Sequence, residues 1–93
     1  MFATVRTYSG ANELADALVN NAGAVKSLIS EIDGFKAYYL VRTADGAVSI
    51  SIYEDEAGTD ASNSAASAWV AENLPDLHVS PPQVSSGEVA IDF

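Results

Sequence analysis

Two runs of alternating residues on either side of Asp45-Gly46 constrain the fold more strongly than any other feature of the sequence. In the second run, aliphatic residues alternate with polar ones from Val48 to Tyr53, in the order VSISIY. Alternation with a period of two is typical of a β-strand whose two faces differ. Asp-Gly is a strong signal for a two-residue hairpin turn, because both turn positions require a positive φ. The sequence therefore predicts an antiparallel hairpin made of residues 35–43 and 48–54.

The register of this hairpin follows by counting outward from the turn. With Ala44 opposite Ala47, the count places Tyr38 directly opposite Tyr53. Both strands then agree on which face of the hairpin is aliphatic. A slip of one residue would move every side chain to the other face, so this agreement is an internal check.

The rest of the chain completes a β-α-β-β-α-β pattern. A strand is predicted over residues 2–8, helices over 13–32 and 61–74, and a last strand over 87–93. Right-handed crossovers put both helices on one face of a four-stranded antiparallel sheet, with the first and third strands central. This is the ferredoxin-like arrangement of the α+β class. Since 93 residues is the size of one domain, residues 1–93 are predicted to form a single domain.

Composition and charge exclude several classes of partner. The chain has 13 acidic and 4 basic residues and a net charge of −9, whereas nucleic-acid binding needs basic patches and anionic membranes repel acidic proteins. No apolar run reaches the ~20 residues that span a bilayer. With no cysteine and one histidine, the sequence offers neither a disulfide nor a metal-binding cluster. We expect a soluble, acidic, cytoplasmic protein with no nucleic-acid partner, no membrane partner and no metal.

The two faces of the predicted sheet differ, and the helices can cover only one of them. We expect the helices to pack on the aliphatic face, which carries Val5, Tyr39, Val41, Val48, Ile50, Ile52, Val89 and Ile91. The polar face carries Thr4, Arg6, Tyr8, Tyr38, Leu40, Arg42, Ser49, Ser51 and Tyr53. The rings of its three tyrosines and the side chain of Leu40 give this face too much apolar surface to stay in water, and it has almost no acidic residues. We therefore predict that a second copy of the chain covers the polar face, in a homodimer formed through the sheet faces, with a pocket between the copies.

Arg6 is the candidate binding group on the polar face. It lies in the middle of a central strand, and its planar guanidinium suits carboxylate, phenolate or enolate oxygens. A buried guanidinium is costly unless it is paired. The alternative is therefore an ion pair across the dimer, with Glu54, Glu88 or Asp92 as the partner.

Tyrosines, serines and the single histidine supply further candidates. Tyr38 and Tyr53, with Ser49 and Ser51 beside them, are placed to flank an aromatic ligand; the alternative is cross-strand aromatic packing. His78 suits a general base or a proton shuttle. The alternative for His78 is an ordinary surface position, since it follows the predicted helix in a loop.

The whole chain resembles the dimeric α/β-barrel superfamily, and within it the antibiotic-biosynthesis-monooxygenase-like group. The resemblance rests on the order of elements, the length, and the stretch VSISIYEDEAG before an alanine-rich helix that carries Trp69. Members of this group pair the open faces of two sheets into a barrel, with a cavity inside each protomer. By this resemblance, Trp69 matches the tryptophan that shapes the substrate pocket of the monooxygenases. The alternative is a tryptophan of the core.

Heme-degrading members of the superfamily combine such a tryptophan with an asparagine on the first strand and a histidine on a helix. Here Thr4 and Arg6 occupy that strand, and His78 lies beyond the helix-ending Pro75. There is also no phosphate-binding or dinucleotide-binding glycine motif. We therefore expect no cofactor.

Three functions are compatible with the sequence. The first is a cofactor-independent monooxygenase-like enzyme for a small aromatic or enolisable substrate, with Arg6, Trp69 and His78 as candidate catalytic residues. The second is a non-catalytic binder of a small organic ligand, and the third is a stress- or assembly-type dimer with a closed cavity. The residues predicted to bind the substrate are Arg6, Tyr38, Ser49, Ser51, Tyr53 and Trp69. The sequence itself does not choose between an enzyme and a binder.

Overall fold

The computed structural model describes residues 1–9, 12–74 and 82–93. The described chain forms four strands and three helices, in the order β1 (Phe2–Ser9), α1 (Asn12–Asn20), α2 (Ala22–Ser30), β2 (Phe35–Arg42), β3 (Gly46–Tyr53), α3 (Glu56–Asn73) and β4 (Gln83–Glu88). The strands form one antiparallel sheet in the order β2-β3-β1-β4. The predicted α+β, ferredoxin-like arrangement is therefore confirmed, with β1 and β3 at its centre. None of the described helices is both long and apolar enough to cross a membrane. The cytoplasmic location stays a prediction.

The first predicted helix is divided into two. Asn21 separates α1 from α2 with a φ of −112° and a ψ of 28°, which is not helical geometry. Its side-chain amide donates a hydrogen bond of 2.8 Å to the carbonyl oxygen of Ala17. Asparagine competes in this way for backbone groups, so a break at this position follows from its chemistry.

The hairpin turn lies one residue earlier than predicted. Thr43 and Gly46 exchange backbone hydrogen bonds of 3.1 and 3.4 Å, so Ala44 and Asp45 form the turn. Neither Asp45 nor Gly46 has a positive φ, and Tyr38 lies opposite Ser51 instead of Tyr53. The partners are thus shifted by two residues, which keeps every side chain on its predicted face.

Helix α3 begins earlier than predicted. The side chain of Asp55 accepts a hydrogen bond of 3.2 Å from the backbone N–H of Gly58, which makes it the N-cap. Glu56 follows in the first turn, where a negative charge interacts favourably with the positive end of the helix dipole. Residues 56–60, which lie between the predicted strand over 48–54 and the predicted helix over 61–74, therefore belong to the start of α3.

The last strand also differs from the prediction. β4 pairs with β1 over Gln83–Glu88, whereas residues 87–93 were expected. The aliphatic alternation of Val89, Ile91 and Phe93 suggested a strand, but these residues follow β4 and Ile91 and Phe93 are exposed. An edge strand needs no alternation of apolar residues when both of its faces remain largely in water. Because β4 is mostly polar, its sequence did not show the alternation by which strands were predicted.

The helices cover the polar face of the sheet, which reverses the prediction. The buried strand residues on this face are Thr4, Arg6, Tyr8, Ala47, Ser49, Ser51 and Tyr53. On the aliphatic face Gly46 is the only buried residue of the described strands, and Tyr39 and Val41 are 58% and 45% exposed. The prediction that a second copy covers the polar face is therefore wrong, because the chain's own helices occupy that position.

The reversal has a physical reason in the helices. Asn63 of α3 hydrogen-bonds to side chains of the sheet, while Thr59 and Ser62 donate to carbonyl oxygens of their own helix. Every buried side-chain nitrogen and oxygen in the described residues has a hydrogen-bond partner. Burial of polar groups costs little when they are satisfied in this way. The apolar part of the same layer is a cluster formed by Tyr8, Leu14, Leu18, Val25, Ile29 and Tyr53.

Gly58 allows α3 to approach the sheet closely. A Cβ atom built at this position would lie 2.7 Å from Cβ and Cγ of Tyr53. We predict that Gly58→Ala lowers the free energy of unfolding by about 1–3 kcal/mol, as overpacking does. Gly23→Ala is the matched control: its Cβ would meet nothing within 4 Å, so the variant should gain about 0.5–1 kcal/mol of helix stability. Urea unfolding of both variants checks the prediction, and equal stabilities would contradict it.

Candidate functional site

Arg6 lies in the middle of the helix-covered face, where it is only 3% exposed. Its Nε donates to Ser49 Oγ at 3.0 Å and its Nη2 to Ser51 Oγ at 3.3 Å, both from β3. Its Nη1 donates to Asn63 Oδ1 of α3 at 2.7 Å. The guanidinium is thus fixed by hydrogen bonds to the neighbouring strand and to the helix above it.

No carboxylate pairs with Arg6 among the described residues. Their two ion pairs are Lys36–Glu54, at 3.8 Å, and Arg42–Asp16. Three of the five N–H donors of Arg6 bind neutral side chains, so two donors are not used by the three bonds above. An ion pair across a dimer does not fit this position, because Arg6 faces the helices of its own chain.

Asn63 connects Arg6 to a second set of hydroxyls. Its Nδ2 donates to Thr4 Oγ1 at 3.2 Å, and Ser86 Oγ of β4 donates to the same oxygen at 2.8 Å. The network therefore joins β4, β1, α3 and β3 around the guanidinium. A side chain held at three points cannot easily change rotamer, so the direction of the unused donors is fixed as well.

Tyr8, Tyr38 and Trp69 surround a small space next to Arg6. The other residues that line it are Leu18, Val25, Leu28, Ile29, Ser49, Ala66 and Val70. Its volume is about 20 Å³, which is enough for about one water molecule. Trp69 therefore faces the space over Arg6, and a larger group would need a movement of the side chains that line it.

The phenols beside Arg6 are in their protonated form at neutral pH. Burial raises the pKa of Tyr8 and of Tyr38, and the positive charge of Arg6 opposes this rise only in part. A protonated phenol donates a hydrogen bond, so these two groups suit an anionic oxygen as well as the guanidinium does. The site is therefore rich in donors and has no strong base among its described residues.

A larger cavity adjoins this space and shares Leu18, Val25, Ile29 and Tyr38 with it. It has a volume of about 430 Å³ and lies between α1, α2 and β2. Its remaining described residues are Val19, Ala22, Lys26, Ser30, Phe35 and Leu40. A volume of this size is typical of pockets for small molecules, which are also mainly apolar. Together the two spaces offer an apolar compartment with a donor-rich inner end.

The structure brings most of the predicted site residues together. Arg6, Tyr38, Ser49 and Trp69 line the small space, and Ser51 holds the guanidinium. Tyr53 is not among the residues that line either space. It is fully buried, and its hydroxyl donates a hydrogen bond of 3.0 Å to the carbonyl oxygen of Ile29. Its ring packs edge-on against that of Phe35, with 5.9 Å between the ring centroids. His78 lies outside the described residues.

Two members of the site were not predicted as site residues, Tyr8 and Asn63. Tyr8 was placed on the polar face but given no role. Asn63 had a sequence signal, because Thr59, Asn63, Ala66 and Val70 repeat at spacings of three and four residues. Such a stripe marks one face of a helix. Its small and polar members indicate a helix that packs on a polar surface.

Comparisons with known proteins agree with this geometry at the level of the fold. No family profile matches the sequence, and no curated protein matches it. A monooxygenase from the gene ActVA-Orf6 of Streptomyces coelicolor, solved in complex with nanaomycin D, is 24% identical over 99% of this chain and 88% of that chain, with a TM-score of 0.68. This chain has the same fold. The resemblance to antibiotic-biosynthesis-monooxygenase-like, ferredoxin-like proteins is thus confirmed as a similarity of fold.

Two further structures show how widely this fold is used. The heme-degrader MhuD of Mycobacterium tuberculosis, solved with two hemes in its active site, is 14% identical over 100% of this chain and 99% of that chain, with a TM-score of 0.72. A dimeric ferredoxin-like protein from an uncultured marine organism is 10% identical over 99% of this chain and 95% of that chain, with a TM-score of 0.68. The function must therefore be argued from the residues of the site.

The residues around Arg6 do not suit heme. The space beside the guanidinium holds about one water molecule, far less than a porphyrin needs. Its described lining contains no histidine or cysteine, and an iron-bound tyrosine would be a phenolate, which burial disfavours here. The described lining of this space therefore offers no suitable ligand for heme iron.

Proposed function

We propose that the protein is a cofactor-independent, monooxygenase-like enzyme for a small aromatic or enolisable substrate bound between the helices and the sheet. One observation carries the proposal: a buried guanidinium is held by the neutral side chains of Ser49, Ser51 and Asn63. A buried charge without a counter-charge is costly. The binding of an anionic oxygen would offset that cost, and the phenols of Tyr8 and Tyr38 would add donors to the same oxygen.

The chemistry follows from stabilising an enolate. A CH₂ group next to a carbonyl loses a proton to solvent water, because the described lining of the site offers no strong base. Arg6 holds the enolate oxygen that takes up the charge. The carbanion adds to O₂ to form a C–O bond, and the hydroperoxide, after protonation, loses water to leave a carbonyl. The sum is CH₂ + O₂ → C=O + H₂O, in which the substrate supplies all four electrons. Preorganised donors aimed at the developing oxyanion are the main contribution that a protein makes to such a step.

A non-catalytic small-molecule binder is the second candidate. The observation that favours it is the small size of the space beside Arg6, about 20 Å³, which does not admit both a substrate carbon and O₂. The adjoining cavity of about 430 Å³ can hold a ligand without any such opening. Oxygen uptake separates the two candidates, because a binder would show saturable binding of naphthols or cyclic 1,3-diketones without consuming O₂.

Asn63→Asp tests whether Arg6 binds an anionic oxygen because no carboxylate among the described residues pairs with its guanidinium. The variant keeps the shape of the side chain but places a carboxylate at 2.7 Å from Arg6, so the guanidinium acquires a partner of its own. We expect the affinity for anionic oxygens to fall about 10- to 100-fold, as the loss of a charge-assisted hydrogen bond implies, while the fold is retained. Titration with a panel of naphthols and 1,3-diketones measures the change.

Asn20→Asp is the matched control for that experiment. It makes the same substitution at an exposed residue of α1 that lines neither space. Its affinities should equal those of the unchanged protein. Undiminished binding or oxygen uptake in Asn63→Asp would contradict the proposal.

We also propose that the protein is a homodimer through the aliphatic face of the sheet. This face corrects the predicted one, since the polar face is covered by the helices. Its support is the row of exposed or half-buried aliphatic and aromatic residues Val5, Tyr39, Val41, Val48, Ile50 and Ile52. Contiguous apolar surface of this kind marks an interaction site, and one protein of the same fold is described as dimeric.

A further inference from the structure

Two of the four basic residues form surface ion pairs, and the other two line the spaces between the helices and the sheet. Lys36 and Arg42 form the two ion pairs of the described residues, with Glu54 and Asp16. Neither of those ion pairs involves Arg6 or Lys26, and both of these line the connected spaces between helices and sheet. In a chain of net charge −9, two of the four cations therefore line these two adjoining spaces.

The two cations line two adjoining spaces. Arg6 lines the small buried space, and Tyr38 lines both that space and the larger cavity. Lys26 lies at the outer end on α2, with the exposed residues Val19 and Ala22. Lys26 is the one charged residue in the described lining of the larger cavity, and its aliphatic stem can extend along the apolar wall.

We infer that the cavity binds an aromatic carboxylate, with the apolar ring system between α1, α2 and β2, the carboxylate at Lys26, and a phenolic or enolic oxygen directed towards Tyr38 and Arg6. The larger cavity supplies the apolar contacts for such a body. Lys26 supplies a positive charge where the rest of the chain repels anions. The inference deepens the proposed function. Only the contact of the phenolic or enolic oxygen with Tyr38 and Arg6 rests on that function, because binding of a carboxylate at Lys26 requires no turnover.

Paired ligands test the inference on the full chain. The acid is 6-hydroxy-2-naphthoate, and its neutral counterpart is 6-hydroxy-2-naphthamide, with binding followed by naphthalene fluorescence at low salt. We expect the acid to bind about fivefold more tightly than the amide, the scale of a partly exposed ion pair. Lys26→Met should remove this preference, so that the acid and the amide bind with equal affinity.

Lys36→Met is the control, because it removes the same charge at a residue that does not line the cavity. It should keep the fivefold preference. Ala22→Trp should block both ligands by filling the outer end, with folding checked by circular dichroism. The inference is overturned if the acid and the amide bind equally to the unchanged protein, if neither binds, or if Lys26→Met keeps the preference. Oxygen uptake is measured separately, so a binder without turnover would refute the enzyme and leave Lys26 in its role.

Discussion

On any substrate that the protein oxidises, Arg6→Met should lower kcat/KM by a factor on the order of 10²–10³, the usual cost of removing a preorganised oxyanion donor. Methionine has a comparable length and can occupy the buried position without a charge. The substitution leaves Ser49, Ser51 and Asn63 without their shared donor, but it also removes a charge that was costly to bury. We therefore expect a change in unfolding free energy of no more than about 1–2 kcal/mol, the scale of unsatisfied neutral groups.

Arg6→Lys distinguishes charge from geometry. A lysine keeps the positive charge but loses the planar fork that bonds to two serines and an asparagine at once. We expect a partial recovery of activity, between that of Arg6→Met and the unchanged protein. Oxygen uptake and urea unfolding, measured on both variants, separate a lost site from a lost fold. Full activity in Arg6→Met would show that the guanidinium has only a structural role.

Ile50→Asp should convert the proposed homodimer into a monomer. Ile50 lies on central strand β3, opposite Val5 and Tyr39, in the middle of the aliphatic face. A carboxylate there would have to be buried without a partner at the interface of two sheets, which costs several kcal/mol per ion. Since the dissociation constant changes tenfold for every 1.4 kcal/mol, dissociation should be complete at micromolar concentration.

Ala61→Asp is the control for that variant. It adds the same charge at an exposed residue of α3, far from the sheet's open face. Sedimentation velocity should show a dimer for the unchanged protein and for Ala61→Asp, and a folded monomer for Ile50→Asp. A monomer of the unchanged protein at these concentrations would refute the homodimer.

Periodicity predicted the order of elements and the central position of β1 and β3, because these depend only on which segments alternate and which repeat at helical spacing. It also assigned side chains such as Arg6 and Ser51 correctly to one common face. Periodicity did not predict which face is buried. That choice depends on the helix surface that packs against the sheet. Asn63 of α3 hydrogen-bonds to Arg6 and Thr4, so the polar face can be buried, and hydrophobicity alone does not predict this.

The same limit explains the candidate site. Arg6 and Tyr38 were identified by residue type and strand position, which a sequence carries directly, and Trp69 was identified by the resemblance to the monooxygenases. The roles of Tyr8 and Asn63 depend on distances between separate elements, and the register of the hairpin depended on one turn residue. The tyrosine pair predicted at Tyr38 and Tyr53 failed for that reason, since a turn at Ala44 and Asp45 moves the partners by two positions.

Thiol labelling tests most directly whether the helices of one chain cover the polar face. The protein has no cysteine, so single variants Ser51→Cys and Val5→Cys report on the two faces without background. Measured in the Ile50→Asp background, where no second copy shields either face, Val5→Cys should react rapidly with a thiol reagent. Ser51→Cys should stay protected until urea unfolds the chain. Rapid reaction of Ser51→Cys in the folded monomer would contradict the account.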